Sequence, residues 1–291
     1  MDNHEKICLG TAQFGSSYGL TNKNESLSVK EIREILNLAN QNGIGFLDTA
    51  PTYGNAEIKL GKSELSSWNI ITKVSAVNTI SRGDNIIKSV EGSLSRLKVD
   101  KLYAVLVHNP KLIFESEFSY LLNQLNELKR RGLVRKIGVS VYNSYEVDFL
   151  LDNHQIDVVQ IPFNIIDGRM LINGTLDKLK SKNIEVHARS IYLQGLLLMD
   201  KKDQMSQFGK WNSHWNLLHS FCSENKLSRL EVCLRYVLNN PKIDRVIVGV
   251  DNYIQLKQII LAATGSEVIV PYELFSFDDK LCNPSNWNSL Q

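Results

Sequence analysis

Four residues of the types that hold or transfer protons lie at or just after the ends of apolar runs in this 291-residue sequence: Asp48, Tyr53 one short loop later, Lys73 and His108. A carboxylate, a phenol, an ammonium and an imidazole can together carry out general acid–base chemistry when they share a site. Each residue alone also has an ordinary structural role, as a helix cap, an ion-paired charge or a satisfied hydrogen-bonding group. Their occurrence at the ends of successive runs indicates one shared site.

The elements that would position these residues are short β-rich runs separated by longer amphipathic segments. The β-rich runs span residues 6–12, 44–50, 68–74, 102–108, 134–140, 156–162, 184–190 and 244–250. Helix-like segments, with apolar residues three and four positions apart, span residues 28–43, 81–97 and 116–132. Most of the β-rich runs are almost continuously apolar, which is typical of parallel strands covered by helices.

Eight strands alternating with helices predict an α/β fold of the (β/α)8 TIM-barrel type. A doubly wound sheet is built from the same units and is the alternative, although no run is followed by a G-x-G-x-x-G phosphate turn. No linker or change of composition divides the chain, so we expect a single domain over residues 1–291. The longest irregular stretch, residues 198–213, follows the seventh run and is expected to be a lid or an active-site wall.

More polar residues occur where further runs end. Ser140 ends the fifth run, Gln160 lies near the end of the sixth, and Arg189 and Ser190 end the seventh. In a TIM barrel the carboxyl ends of the strands meet at the face that carries the active site. We therefore expect these residues to share the barrel mouth with the first four.

Composition excludes several classes of protein. Lys and Arg number 33 against 31 Asp and Glu, and this near balance argues against nucleic acid or an anionic membrane as a partner. There is no signal peptide and no apolar run of about eighteen residues, so a cytoplasmic protein outside the membrane is expected. The four cysteines have neither paired nor metal-type spacing, which predicts reduced thiols and no metal site.

The block FLDTAPTYGNAEIKLG at residues 46–61 resembles the signature of the aldo-keto reductases. Other blocks are similar to that family in the same order along nearly the whole chain. They are LGTAQFG (9–15), ITKV (71–74), SLSRLKVDKLYAVLVHNP (93–110), GLVRKIGVS (132–140), VVQIPFN (158–164), ARSIYLQGLL (188–197) and IVGVDNYIQL (247–256). Several independent blocks in order are a more specific signal than one short motif.

The resemblance implies an NAD(P)H-dependent oxidoreductase that reduces an aldehyde or ketone to an alcohol, with the first four residues as its catalytic tetrad. Tyr53 would donate the proton, and the neighbouring Lys73 ammonium would lower the pKa of the phenol. Asp48 would hold Lys73, and His108 would orient the substrate carbonyl. A nicotinamide would supply the hydride, because no side chain can.

The resemblance also implies which residues contact the nicotinamide cofactor. At the catalytic end they are Thr11, Asp48, Ser140, Gln160, Arg189 and Ser190. Ser140 and Gln160 match residues that bind the nicotinamide carboxamide, and the flat guanidinium of Arg189 would stack on the ring. Val141 stands where the family commonly has an Asn, which removes one expected contact.

The implied phosphate end of the cofactor site begins at Gly249, where a helix N-terminus could bind an anion. Family members that prefer NADPH carry Lys or Arg near the places taken here by Asp251 and Gln255. A carboxylate suits a ribose 2′-hydroxyl better than a phosphate. The resemblance therefore implies NADP(H) as the default cofactor, and the carboxylate of Asp251 makes NAD(H) an almost equal expectation.

Aromatic residues near the expected mouth predict the substrate wall: Phe14, Tyr18, Trp211 and Trp215, together with the loop after His108. Such a wall suits a sugar ring or an aryl aldehyde. The opening LGTAQFGSSYGLTN resembles a bacterial branch associated with surface-sugar biosynthesis, so a sugar-derived carbonyl is the first candidate substrate. The expected partner is this small molecule alone, bound by a monomer or a weak homo-oligomer.

Two other classes of function stay open. One is a non-catalytic barrel that binds nicotinamide cofactor as a sensor or regulatory subunit, although an intact tetrad speaks against it. The other is a different TIM-barrel enzyme, such as a metal-dependent hydrolase or an aldolase-type lyase. That enzyme would need a metal cluster or a Schiff-base lysine, and the Asp and Tyr neighbours of Lys73 fit reduction better.

Overall fold

Eight parallel strands form a closed barrel in chain order, and the first strand closes on the eighth. The computed structural model describes residues 3–17, 19–20, 26–75 and 86–289. The strands in these residues are β1 (Ile7–Gly10), β2 (Phe46–Asp48), β3 (Asn69–Val74), β4 (Leu102–Val107), β5 (Val134–Ser140), β6 (Val158–Pro162), β7 (Glu185–Arg189) and β8 (Arg245–Gly249). Each lies within one of the eight predicted runs, and the TIM barrel is confirmed.

Helices connect the strands and cover the outside of the barrel. The described helices are α1 (Asn3–Lys6), α2 (Ala12–Gly15), α3 (Val29–Gln41), α4 (Ala56–Leu60), α5 (Ile86–Leu97), α6 (Phe118–Arg130), α7 (Ser144–Asn153), α8 (Arg169–Ile172), α9 (Thr175–Ser181), α10 (Lys201–Phe208), α11 (Asn212–Asn225), α12 (Arg229–Leu238), α13 (Tyr253–Ala262) and α14 (Asp279–Cys282). Short 3-10 turns lie at Pro110–Phe114, Leu193–Leu198, Gly209–Trp211, Tyr272–Leu274 and Pro284–Ser289. Within the same residues, no helix is long and apolar enough to cross a membrane.

The helix predicted over residues 28–43 is α3, and its start is fixed by a capping box. The Ser28 hydroxyl accepts from the Glu31 backbone N–H, and the Glu31 carboxylate accepts from the Ser28 N–H. This arrangement satisfies two donors that a helix N-terminus otherwise leaves free. The stretch predicted to be irregular, residues 198–213, instead contains α10 and a 3-10 turn, and this prediction is wrong. The sequence of α10 has no regular apolar period, and tertiary contacts of Gln204 and of the buried Phe208 hold this helix in place.

The two-residue period of the strands explains why polar side chains gather at the barrel mouth. Phe46, Ile71 and Val158 pack together in a cluster distinct from the larger cluster between strands and helices. Two residues further along the same strands are Asp48, Lys73 and Gln160. These three side chains therefore continue the interior layers of the barrel toward its carboxyl-terminal face.

A polar cluster lies at the opposite end of the barrel, and we call it the floor network: Tyr103, Lys136, Glu185 and His187. Glu185 Oε2 accepts from Tyr103 Oη at 2.7 Å and pairs with Lys136. Its Oε1 lies 2.7 Å from Nε2 of the fully buried His187. The network thus joins β4, β5 and β7 where each strand begins.

Candidate active site

The four residues singled out first come together at the mouth of the barrel. Lys73 Nζ donates to Asp48 Oδ1 at 2.6 Å, to Tyr53 Oη at 3.1 Å and to the Thr49 carbonyl at 3.1 Å. Lys73 is 1% exposed and Asp48 is 3% exposed, so water screens their attraction little. The ring centroids of Tyr53 and His108 lie 6.1 Å apart.

Close backbone packing positions Tyr53, which lies outside any regular element. Gly54, directly after it, has φ of 57° in the left-handed region that favours glycine. A Cβ on Gly54 would lie 2.3 Å from the Gly15 carbonyl oxygen, and a Cβ on Gly15 would lie 1.7 Å from the Tyr53 carbonyl oxygen. The two glycines therefore allow the turn after β1 and the turn after β2 to touch.

Charge and burial set the protonation states of the central pair. Burial alone would lower the pKa of Lys73, but Asp48 and the Tyr53 oxygen outweigh it and raise that pKa. Burial raises the pKa of the Tyr53 phenol, and Lys73 only partly opposes this effect. The effect of Lys73 on the phenol pKa therefore has the predicted sign, but desolvation of the phenolate is the larger effect and the net pKa is raised.

His108 follows β4 and faces two hydroxyl groups. Its Nδ1 lies 3.4 Å from Thr52 Oγ1 and 3.5 Å from Ser75 Oγ. Burial, and next the nearby Lys73 charge, lower the pKa of His108 to about 4. The ring is therefore neutral near pH 7, and a hydroxyl that donates to Nδ1 leaves Nε2 as the N–H donor.

Ser140, Gln160 and Arg189 line the same mouth next to Asp48. Gln160 Nε2 donates to Asp48 Oδ2 at 2.9 Å, and Ser140 Oγ donates to Gln160 Oε1 at 3.3 Å. Arg189 donates to Ser140 Oγ at 3.3 Å and to the Val141 carbonyl at 3.0 Å. The guanidinium also lies 4.3 Å from the ring centroid of Tyr142.

Thr11 and Ser190 lie at the edges of this arrangement. The Thr11 hydroxyl donates to the Asp48 carbonyl at 3.0 Å, and the Ser190 hydroxyl accepts from Arg189 Nη1 at 3.3 Å. Among the described residues, Arg189 forms no ion pair with a carboxylate, and its donors go to hydroxyl and carbonyl oxygens.

One cavity of about 1200 Å³ runs from the tetrad across the mouth to the helix after β8. Its wall includes Thr11, Asp48, Tyr53, His108, Ser140, Gln160, Arg189, Ser190, Gly249, Asp251 and Gln255. Of the predicted site residues, Lys73 is behind this wall and reaches the cavity through Tyr53 and Asp48. The described residues hold no group of three or more His, Cys, Asp or Glu that could bind a metal ion.

The far end of the cavity is the N-terminus of α13, where the backbone N–H groups of Asp251 and Gln255 are already engaged. Asn252 Oδ1 accepts from the Gln255 backbone N–H at 2.9 Å. Gln255 Oε1 accepts from the Asp251 N–H at 2.8 Å, and Gln255 Nε2 donates to Asp251 Oδ2 at 3.1 Å. Asp251 and Gln255 thus bind each other across the first turn of the helix.

The predicted aromatic substrate wall is not where the sequence suggested. Phe14 and Trp215 are fully buried and Trp211 is 6% exposed, and none of them lines the cavity. The indole N–H of Trp215 donates to the Phe208 carbonyl, and that of Trp211 donates to Asp278. Trp215 thus bonds within the segment after β7, and Trp211 ties this segment to Asp278 near the C-terminus, because a buried indole N–H needs an acceptor. Tyr18 lies outside the described residues.

Several cavity residues carry no motif that would single them out. Gln13 lies in the block LGTAQFG (9–15), but the sequence does not show that its amide lies over Gly249 in the folded chain. Arg229, at the start of α12, donates to the Leu198 carbonyl at 3.0 Å and to Asp200 Oδ1 at 2.9 Å. Other wall residues missed from sequence are Thr52, Tyr142, Gln194, Gly195, Lys226 and Gln258.

The chain is similar in sequence to a known family and to known oxidoreductases. Residues 6–276 match the model of the Aldo/keto reductase family. An uncharacterized oxidoreductase of Bacillus subtilis is 29% identical over 89% of this chain and 87% of its own. L-galactose dehydrogenase of Arabidopsis thaliana is 26% identical over 90% of this chain and 85% of its own.

The fold is also similar to solved structures. An aldo-keto reductase of Bacillus halodurans in its holo form superposes with a TM-score of 0.71 at 19% identity, over 98% of this chain and 91% of that one. The family match covers nearly the whole length of the chain and leads to one conclusion. The chain belongs to the aldo/keto reductase family and is an NAD(P)H-dependent oxidoreductase.

Proposed function

We propose that this chain reduces the carbonyl group of an aldehyde or ketone to an alcohol, with Tyr53 as the proton donor. The observation that carries the proposal is the contact of one buried ammonium, Lys73 Nζ, with both Asp48 Oδ1 and Tyr53 Oη. A cation fixed beside a phenol stabilises the phenolate that forms as the proton leaves.

The direction of proton transfer follows from the protonation states. Because burial raises the pKa of Tyr53, the phenol keeps its proton near neutral pH and can give it to a carbonyl oxygen that gains negative charge. Neutral His108 donates from Nε2 to the same oxygen and orients it. Asp48 keeps Lys73 charged and in place throughout.

The cavity fits an extended dinucleotide. Its volume of about 1200 Å³ exceeds the roughly 300–1000 Å³ typical of a pocket for one small ligand. Ser140, Gln160 and Arg189 would hold the nicotinamide half, and the wall near Asp251 would hold the adenosine half. A bound reduced nicotinamide supplies the hydride to the carbonyl carbon.

We infer further that NAD(H) is preferred to NADP(H). A 2′-phosphate at the start of α13 would meet the Asp251 carboxylate, and it would have to displace Gln255 to reach the Asp251 N–H. Both effects oppose binding of an anion, whereas a ribose hydroxyl can donate to a carboxylate. The preference rests on this pairing and is independent of the catalytic end.

The polar wall near the tetrad supports a hydroxylated substrate. Thr52, whose hydroxyl lies 3.4 Å from His108 Nδ1, and Tyr142, whose ring lies against Arg189, line the cavity there, whereas Phe14 is buried. Polar groups in a cavity wall favour binding of a substrate that can hydrogen-bond to them. We therefore favour a sugar-derived aldehyde or ketone, and the name of the Arabidopsis relative, a dehydrogenase of L-galactose, points to the same class.

Fluorescence titration with NADH and NADPH, followed by a panel of carbonyl compounds, tests these proposals. We expect tighter binding of NADH, and faster turnover of hydroxylated aldehydes such as glyceraldehyde than of benzaldehyde. Tyr53→Phe should bind cofactor and lose turnover, whereas Tyr120→Phe, at an exposed tyrosine, should match the wild type. Binding without turnover of any carbonyl would favour the sensor function, and no binding of either cofactor would overturn both.

The cofactor preference has its own test. Asp251→Asn removes the negative charge and can keep the contact with Gln255. We expect this variant to bind NADPH about tenfold more tightly, with NADH affinity little changed, because one unfavourable charge contact with the 2′-phosphate is removed. A tenfold change in affinity corresponds to about 1.4 kcal/mol of binding free energy. Tighter binding of NADPH than of NADH by the wild type would contradict the inference.

A further inference from the structure

A continuous line of hydrogen bonds crosses the barrel mouth from Arg189 to Tyr53. Arg189 Nε contacts Ser140 Oγ, which contacts Gln160 Oε1, and Gln160 Nε2 contacts Asp48 Oδ2. Asp48 Oδ1 then accepts from Lys73, which donates to Tyr53 Oη. The line joins β7, β5, β6, β2 and β3.

The direction of each donor is fixed by the groups at the two ends. A guanidinium only donates, so Ser140 Oγ accepts from Arg189 and its own hydrogen is free for Gln160 Oε1. An ionised carboxylate only accepts, so the other end of the Gln160 amide must present its N–H to Asp48. The amide of Gln160 therefore has one orientation that satisfies both neighbours.

Strand geometry makes this arrangement rigid. Ser140 and Gln160 are paired neighbours in the register of β5 and β6. Asp48 is on β2, four strands away from β6 around the barrel, so the Gln160–Asp48 bond spans the interior. Ser140, Gln160 and Asp48 are each at most 3% exposed, and hydrogen bonds are stronger where water is excluded.

We propose that Gln160 is a positioning residue for Asp48, and that Arg189 and Ser140 hold Gln160 in the orientation that this role requires. The family resemblance assigns Gln160 a contact with the cofactor, whereas its hydrogen bond to Asp48 is made within the protein and needs no cofactor. The inference rests on the proposed function in one respect, namely that Tyr53 is the group whose acidity matters.

The chemical consequence passes from Gln160 to Tyr53 through the carboxylate. A bond from Gln160 to Oδ2 takes up part of the negative charge of Asp48, so less of it is left to neutralise Lys73. Lys73 then keeps more of its attraction for the phenolate form of Tyr53. Loss of the Gln160 donor leaves Oδ2 buried and unpaired, draws Lys73 toward Asp48 and makes the phenol a weaker acid.

Titration of the cofactor-free protein tests this, because without cofactor Gln160 reaches Tyr53 only through Asp48 and Lys73. Tyrosinate absorbance is followed through alkaline pH, and the signal of Tyr53 is obtained by subtracting the Tyr53→Phe protein. We expect the acidity of Tyr53 to fall roughly tenfold in Gln160→Met, which has similar length and no donor. In Gln160→Glu a second carboxylate faces Asp48 at alkaline pH, and the acidity should fall further.

Ser140→Ala frees the Gln160 amide to turn, so its effect should have the same sign and be smaller than that of Gln160→Met. Unchanged acidity of Tyr53 in both Gln160 variants would overturn the proposal, and if Gln160→Met does not fold, Gln160→Glu decides. This outcome is separable from failure of the proposed function. Weakened acidity of Tyr53 in the variants of a protein that turns over no carbonyl would support the positioning role and overturn the reductase. Unchanged acidity in the variants of a protein that reduces carbonyl compounds would overturn the positioning role and support the reductase.

Discussion

At the scale of single residues, the proposed chemistry depends most on Lys73. Replacing it by Met keeps the length of the side chain and removes the cation beside Tyr53. We expect kcat for carbonyl reduction to fall by about 10²–10⁴-fold, the range for loss of acid–base assistance. NADH affinity should change little, because Lys73 does not line the cavity.

Steady-state kinetics and fluorescence titration of Lys73→Met provide the measurement. Lys178→Met is a suitable control, since Lys178 is an exposed lysine paired with Asp148 on the outside of the barrel. A Lys73→Met protein that retained a tenth or more of wild-type kcat would show that the cation is not needed for the proton transfer.

His108 gives a prediction about pH. Its pKa of about 4 means that the reduction rate should show no ionisation near 6.5, the ordinary value for histidine. Proton NMR of the cofactor-free protein should place the imidazole titration near pH 4. Since Lys73 contributes to the lowering after burial, the pKa of His108 should rise in Lys73→Met. A wild-type titration near 6.5 would refute the prediction.

Residue types at strand ends predicted that Asp48, Lys73 and His108 meet at the barrel mouth, because the barrel geometry dictates where such side chains lie. The substrate wall was not predictable in the same way. Phe14 and Gln13 are adjacent in the short helix α2, yet Phe14 packs into the core and Gln13 faces the cavity. In so short an element no periodic pattern fixes which side chain points inward.

At the scale of elements, the turns after β1 and β2 depend on the contact between Gly15 and Gly54. Gly15→Ala puts a Cβ 1.7 Å from the Tyr53 carbonyl oxygen, so the Tyr53 turn must shift. We expect the free energy of unfolding to fall by roughly 1–3 kcal/mol. The kcat should fall by about 10²-fold, as for a misplaced catalytic group.

Chemical denaturation and kinetics of Gly15→Ala test this against Gly45→Ala. No atom lies within 4 Å of a Cβ built on Gly45, so this control makes the same chemical change in open space. If both variants behaved alike, the close approach of the two turns would have no part in positioning Tyr53.

The elements themselves were predictable to different degrees. The β-rich runs contain all eight strands, because nearly continuous apolar residues between polar boundaries have few alternatives in a helix-covered barrel. Helix α10 was not predictable, because Gln204 holds it through the Leu196 carbonyl at 2.9 Å and His219 at 2.9 Å. Such contacts depend on the tertiary structure, and so does the cavity wall contributed by α11 and α12.

At the scale of the whole molecule, the floor network makes stability depend on pH. Burial alone would raise the pKa of Glu185, but His187, Lys136 and Tyr103 outweigh it and lower that pKa below the ordinary 4.5. A lowered folded-state pKa contributes stability above pH 4.5 that is lost as the pH falls further. Glu185→Gln should therefore be roughly 1–3 kcal/mol less stable than the wild type at pH 7, with a difference that shrinks in acid.

Urea unfolding at pH 7 and at successively lower pH measures this difference. Glu273→Gln changes an exposed glutamate in the same way and should leave the stability unchanged at every pH. A difference between Glu185→Gln and the wild type that stayed constant down to acid pH would mean that the carboxylate charge is not what stabilises the floor.

The backbone after β7 has a consequence for exchange of bound molecules. Ser190, Leu193 and Gln194 have φ of 58°, 48° and 55°, each costing about 1–2 kcal/mol for a residue with a Cβ. The contacts of Arg229 with Leu198 and Asp200 hold the far end of this segment against the cavity. Local opening of residues 190–200 releases this backbone strain, so the amides of the segment should exchange hydrogen with solvent before those of the strands. The rate of this opening should in turn limit how fast a bound dinucleotide leaves the cavity.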